Sequence, residues 1–169
     1  MRPFDFCPAD ATRLLARDHE GGKLCPKCDR TWYQSSAPTA GAAIVRDGKA
    51  LVATRAREPE KGRMDVPGGF LAPGEQVIDG LKREVREELG IEVDAGIRDC
   101  LSAVAHTYGD EGDFVLALGF KARWVSGEPQ PADDVAAVSW VTLDELDDLD
   151  FAWEHDRELI RRALADEVG

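Results

Sequence analysis

The sequence predicts a mixed α/β domain over residues 37–169, preceded by a small cysteine-bearing unit over 1–36. Three observations predict it. Apolar segments bounded by turn signals lie on both sides of a central amphipathic helix, a second helical pattern closes the sequence, and a C-x2-C pair stands ahead of the first apolar segment. At 169 residues the chain is long enough for one well-buried domain with an appendage.

In the first unit, Cys25-Pro-Lys-Cys28 has the usual form of a zinc knuckle, and Cys7-Pro-Ala-Asp10 repeats it with Asp in place of the last cysteine. Cys7, Cys25 and Cys28 would give three ligands of one structural Zn²⁺, and His19 or Asp10 the fourth. His19 is preferred, because imidazole suits Zn²⁺ better than a lone carboxylate. A degenerate ribbon packing without metal is the alternative. A redox C-x-x-C is disfavoured, since no helix start or βαβ pattern surrounds the pair. So short a unit cannot fold on apolar burial alone, so metal or docking onto the main domain must stabilise it.

Gln34–Thr39 reads as a linker by composition. Ala40–Arg46 and Lys49–Arg55 flank Asp47-Gly48, the pair that favours a type I′ turn, so the main domain opens with a β-hairpin. Arg55, Arg57, Lys61 and Arg63 follow as the local cationic concentration, read as a group that meets substrate phosphates or as solvated loop charge. Pro67-Gly68-Gly69 and Pro73-Gly74-Glu75 then bracket a tight loop.

Val77, Leu81, Val85 and Leu89 recur every four residues, the apolar stripe of a helix packed on a core, and Gly90 stands where a helix end needs positive φ. Glu84, Glu87 and Glu88 share one side of that helix. Carboxylates so close repel unless positive charge lies among them, and a hard cation such as Mg²⁺, Mn²⁺ or Ca²⁺ takes such oxygens. A solvated acidic face is the alternative.

After the helix, Arg98–Thr107 and Phe114–Val125 form an expected antiparallel pair around the turn Tyr108–Asp113, and Ala136–Val141 a further strand. Thr142-Leu-Asp-Glu145 is a capping box opening an acidic helix, and Trp153–Val168 a closing helix. Cys100, within a strand, reads as a buried structural thiol. Phe70, His106 and Tyr108 are candidates for a pocket wall or ordinary core residues.

From Gly69 to Ile91 the residues Gly69, Glu75, Arg83, Glu84, Val85, Glu87, Glu88, Gly90 and Ile91 fit G-x5-E-x7-R-E-U-x-E-E-x-G-U without exception, U being a bulky aliphatic residue. Such a coincidence is expected roughly once in 10⁸ windows at background frequencies. The stretch resembles the box of the Nudix hydrolases, and the layout of the first unit resembles the zinc ribbons that precede some of them. The resemblance implies a Nudix-type α/β/α sandwich and metal-dependent hydrolysis of the pyrophosphate in a nucleoside diphosphate linked to another group.

Carried over position by position, it implies that Glu84, Glu87 and Glu88 hold Mg²⁺ or Mn²⁺ with the Gly69 carbonyl. Arg83 would orient a box glutamate, and Glu75 would brace Arg83 or reach the metal. The general base is Glu84 by preference, with Glu111, Asp133 and Asp134 as competitors on later loops. Arg55, Arg57, Arg63 and Phe70 are the candidate substrate contacts. NADH pyrophosphatases of the family carry an S-Q-P-W-P-F-P-x-S array after the box, absent from EVDAGIRDCLSAVAHTYGD here, so NADH is disfavoured. ADP-ribose-like compounds or nucleotide sugars are preferred, with nucleoside triphosphates as the alternative and a silent nucleotide-sensing or interaction module as the alternative of another class. Homodimers are common in the family.

The net charge of −12 argues against a protein that grips nucleic acid electrostatically. No window is apolar enough to span a membrane, and MRPFDFCPAD lacks the apolar core of a signal peptide, so a cytoplasmic protein is expected. Four cysteines in a chain this long fit metal binding better than a disulfide framework.

Overall fold

The computed structural model describes residues 5–16 and 21–168. In the first unit, β1 (Leu15–Ala16), β2 (Lys23–Leu24) and β3 (Thr31–Trp32) form an antiparallel sheet in that order. Its small core is Cys7, Leu14 and Cys25, with Cys28 and Trp32 packed against it. His19, the preferred fourth zinc ligand, lies outside the described residues.

The main domain is built on β4 (Ala37–Arg46) and β5 (Lys49–Arg55). Asp47 at φ 50° and Gly48 at φ 71° give the two positive angles that a type I′ turn requires, as the Asp-Gly pair predicts. Then come β6 (Met64–Asp65), β7 (Gly68–Phe70), α1 (Val77–Leu89), β8 (Glu92–Asp94), β9 (Cys100–Tyr108), β10 (Asp113–Ser126), β11 (Val135–Val141) and α2 (Glu154–Val168). The sheet order is β11-β5-β4-β10-β8, with β6 beside β5, β7 beside β4 and β9 beside β10. Among the described strand pairs β4 and β10 run parallel, residues 37–45 against 115–123, and the others antiparallel, so the sheet is mixed.

Central β4 is buried on both faces, which fits its continuous apolar run. Ala40, Ala42 and Ile44 join Leu81, Val85 and Leu89 of α1 in one core, and Ala43 and Val45 join Leu159, Ile160, Ala163 and Leu164 of α2 in the other. Alternate residues of one strand thus feed two cores, and the layers stack helix, sheet, helix. The Gly90 cap has φ 67° and its N–H donates to Arg86 O.

The structure moves three expected features. Ala37, Pro38 and Thr39, assigned to a linker, are the first residues of β4, in register with Val115, Leu116 and Ala117. That pairing is non-local, so local composition does not announce it. The Thr142 N–H does donate to Glu145 Oε2 at 2.7 Å, yet the segment it opens, Leu143–Asp148, is a six-residue 3₁₀ turn. Cys100 is exposed rather than buried, because it starts the outer strand β9, beside the register shift opposite Gly119 and Phe120.

Candidate active site

The tight loop before α1 becomes β7, which pairs with β4 through Gly41↔Gly68, Ala40↔Gly69 and Thr39↔Phe70. Gly68 sits at φ 145°, and a Cβ there would fall 2.1 Å from the Ala40 carbonyl oxygen. Only glycine lets the two backbones meet. The Gly68 N–H donates to Glu88 Oε2 at 2.9 Å, and Glu88 is buried. Burial pushes its carboxyl up to about 9, against the opposing Gly68 hydrogen bond and with the charges of Asp134, Glu84 and Asp65 adding to the rise. At Gly69 a Cβ would lie 2.7 Å from the Glu84 carboxylate, so the loop backbone rests directly on that side chain.

Arg83 occupies the middle of the box. Its Nε and Nη2 donate to Glu75 Oε1 and Oε2 at 2.8 and 2.9 Å, and its Nη1 to Glu84 Oε1 at 2.6 Å and Glu87 Oε2 at 3.0 Å. Nη2 also reaches the Phe70 carbonyl at 3.3 Å. Hydrogen bonds from Arg83 and the Ala72 N–H hold Glu75 at about 2. One guanidinium thus balances three carboxylates, the positive charge that their crowding demands. Among the described residues, Glu84, Glu87 and Glu88 do not form a group whose donor atoms all lie within 4.8 Å of one another. The donor set itself, three carboxylates and a backbone carbonyl of the loop packed on Glu84, consists of hard oxygens and fits Mg²⁺ or Mn²⁺.

A cavity of about 120 Å³ opens beside the loop, lined by Gly68, Gly69 and Phe70 and by residues from β5, β6, β9, β10 and α2. Tyr108 meets Phe70 edge-on at 5.7 Å between ring centroids and stacks on Trp153 at 5.6 Å and 24°. Arg55 lines it too, but its donors are engaged: Nη1 to Asp65 Oδ2 at 2.5 Å, Nη2 to the Tyr108 hydroxyl at 3.2 Å and Nε to the Pro59 carbonyl at 2.8 Å. Its guanidinium also lies 4.8 Å from the Trp153 ring centroid. Arg55 braces the aromatic wall, with each of its three nitrogens holding a protein partner. Arg57 pairs with Asp133 at 3.0 Å and Arg63 with Asp150 and Glu60 at 2.7 Å, both outside the cavity.

Of the loop acids, Asp134 lines the cavity, whereas Glu111 and Asp133 do not. The Ala132 N–H donates to Glu88 O and the Gln130 N–H to Leu89 O, tying the Asp134 loop to the end of α1. His106 lines the cavity with its ring 4.7 Å from that of His155, and His155 is held at about 4 by burial and by the His106 charge. Sequence reasoning missed Asp65, Trp153, His155 and Asp156 as cavity residues. They are brought together by strand pairing and helix packing, and no local pattern marks them.

In the first unit, Cys7, Asp10, Cys25 and Cys28 bring their donor atoms within 4.8 Å of one another. Cys7 Sγ and Cys28 Sγ are 3.8 Å apart, and Cys25 Sγ is 3.7 Å from both Asp10 oxygens. A tetrahedron with Zn–S bonds of about 2.3 Å has an edge of about 3.8 Å, so the spacing fits Zn²⁺. Asp10 is the fourth donor among the described residues.

The NUDIX domain family model matches residues 36–163. The chain is 34% identical over 170 residues to an NAD-capped RNA hydrolase NudC of Pseudomonas aeruginosa, covering 97% of this chain and 57% of the relative. It therefore spans little more than half the length of that relative. It is 41% identical over 113 residues to a putative 8-oxo-dGTP diphosphatase 2 of Mycobacterium tuberculosis, covering 64% of this chain and 75% of the relative. The fold is that of a NUDIX hydrolase from Nitrosomonas europaea, with a TM-score of 0.75, 22% identity and coverage of 98% and 93%. With a complete box running from β7 through α1 and the family match running across most of its length, the chain belongs to the Nudix family of hydrolases.

Proposed function

We propose that the chain hydrolyses the pyrophosphate bond of a nucleoside diphosphate linked to another group, of the ADP-ribose or nucleotide-sugar kind. The observation that carries this reading is continuity: the loop that rests on Glu84 also lines the aromatic-walled cavity. A dinucleotide-like substrate can place its base between aromatic rings and its diphosphate over the box. Glu84, Glu87, Glu88 and the Gly69 carbonyl would hold Mg²⁺ or Mn²⁺, whose charge stabilises the negative oxygens of the reacting phosphorus. Arg83 orients Glu84, and Glu75 braces Arg83.

Glu84 is the preferred general base, taking a proton from the water as its oxygen bonds to phosphorus and the bridging P–O bond breaks. Asp134 is the rival, on its position in the cavity wall. Phe70 and Arg55 serve recognition, Phe70 by ring contact and Arg55 by bracing Tyr108. The first unit would carry one structural Zn²⁺ on Cys7, Cys25, Cys28 and Asp10 or His19. Four cysteines with no disulfide among them suit a reducing cytoplasm.

Two other substrates are named by the relatives: an NAD cap on RNA and an oxidised nucleoside triphosphate. The first runs against the acidic net charge, which offers no basic stripe to an RNA backbone. The test is product analysis on ADP-ribose, nucleotide sugars, NAD, NAD-capped RNA and nucleoside triphosphates with Mg²⁺ or Mn²⁺, comparing wild type with Glu84→Gln and Asp134→Asn. The reading expects the highest kcat/KM on ADP-ribose-like compounds and near-complete loss in Glu84→Gln. A preference for triphosphates or for capped RNA overturns it, and loss confined to Asp134→Asn reassigns the base. Tight nucleotide binding with no turnover of any compound favours the sensing module.

A further inference from the structure

Three consecutive residues of β7 each touch a different side chain of the box. The Gly68 N–H donates to Glu88 Oε2 at 2.9 Å, and a Cβ on Gly69 would lie 2.7 Å from the Glu84 carboxylate. The Phe70 carbonyl accepts from Arg83 Nη2 at 3.3 Å. Of the three, Phe70 alone carries a side chain. Its ring turns from the box to the cavity wall, where it meets Tyr108 at 5.7 Å and 89°.

Tyr108 is held from two further sides, by its stack on Trp153 and by the hydrogen bond from Arg55 to its hydroxyl. Phe70 is held less firmly, since its ring is 46% exposed at the last position of β7. A ligand ring laid on the open side buries apolar area and restricts Phe70. That restriction falls on a residue whose carbonyl is tied to Arg83, and Arg83 also donates to Glu75, Glu84 and Glu87. Ordering produced by one ligand lowers the entropy cost of binding the second.

We propose that Phe70 is a positioning residue that couples the two halves of the site. A ring bound against it in the cavity seats the carboxylates of the box and so tightens divalent cation binding there. This rests on the reading that the cavity takes the nucleoside and the box the cation. Such coupling is reciprocal, so cation binding tightens the nucleoside by the same factor.

The test is Mn²⁺ binding to the full chain, followed by the electron paramagnetic resonance of the free ion, with and without saturating adenosine. Adenosine carries no phosphate to bridge to the ion, and no hydrolysis enters the readout. Glu84→Gln serves as the blank for Mn²⁺ held elsewhere on the acidic surface. The proposal expects adenosine to tighten Mn²⁺ binding by about fivefold or more in the wild type. The factor should persist in Phe70→Tyr, which keeps the ring, and fall below about twofold in Phe70→Ala and in Arg83→Lys. Arg83→Lys leaves every ring in place, so it carries the test if Phe70→Ala loses adenosine or fails to fold. No binding of adenosine, equal Mn²⁺ affinities with and without it in the wild type, or a factor that survives Arg83→Lys overturns the proposal. Tightening without hydrolysis of any compound would sink the proposed enzyme activity and leave this inference intact, and hydrolysis of ADP-ribose without tightening would do the reverse.

Discussion

Arg83 grips Glu75 through two parallel hydrogen bonds, Nε to Oε1 at 2.8 Å and Nη2 to Oε2 at 2.9 Å, and the same guanidinium reaches Glu84 at 2.6 Å. The loop residue Glu75 and the helix residue Glu84 are thereby fixed to one rigid fork. A lysine keeps the charge but cannot reproduce the fork. Arg83→Lys should therefore lower kcat by about 10–100-fold, with a melting temperature within a few degrees of wild type. Activity within twofold of wild type would show that the fork does not position Glu84.

Gly68→Ala tests the close approach of β7 to β4. The new Cβ would meet the Ala40 carbonyl oxygen at 2.1 Å, with φ at 145°, and neither backbone can retreat cheaply. A loss of about 3 kcal/mol or more is expected, a fall of roughly 6–12 °C for a chain of this size, together with loss of the Glu88 anchor. Thermal unfolding reads this directly, and an unchanged midpoint would contradict the geometry.

His155 gives a pH dependence with a definite sign. Burial holds it at about 4 against an ordinary 6.5, so the unfolded chain takes up its proton first as pH falls. Its contribution is complete above 6.5 and is lost as pH drops towards 4, at most about 3 kcal/mol and less for a partly exposed ring. His155→Gln should flatten the fall in stability between pH 7 and pH 4 relative to wild type, as followed by denaturant unfolding. Parallel curves would refute it.

The box was legible because its information is local: Glu84, Glu87 and Glu88 lie within five residues, and helix geometry alone puts them on one side. The Asp47-Gly48 hairpin was legible for the same reason. What stayed hidden depends on distant pairing. Ala37–Thr39 are a strand because β10 lies beside them, and Arg55 meets Tyr108 across 53 residues of sequence. Arg55 was legible as a cation near the box but not as a brace already engaged by Asp65. Asp156 resembles any acidic residue at the start of a helix, and only α2 packing on the sheet buries it.

The cysteine unit makes a separable claim. Wild type should purify with one Zn²⁺ per chain, and Asp10→Ala should weaken retention by about 10–100-fold against a competing chelator, whereas His19→Ala should leave it unchanged. Loss in His19→Ala with retention in Asp10→Ala would make the imidazole the fourth ligand.

The most direct measurement is the initial rate of ADP-ribose hydrolysis against Mg²⁺ concentration for wild type, Glu84→Gln and Glu88→Gln. The account predicts saturable metal dependence in the wild type and a fall in kcat of about 10³-fold or more in Glu84→Gln, with both variants still folded. Metal-independent hydrolysis, or full activity in Glu84→Gln, would contradict it.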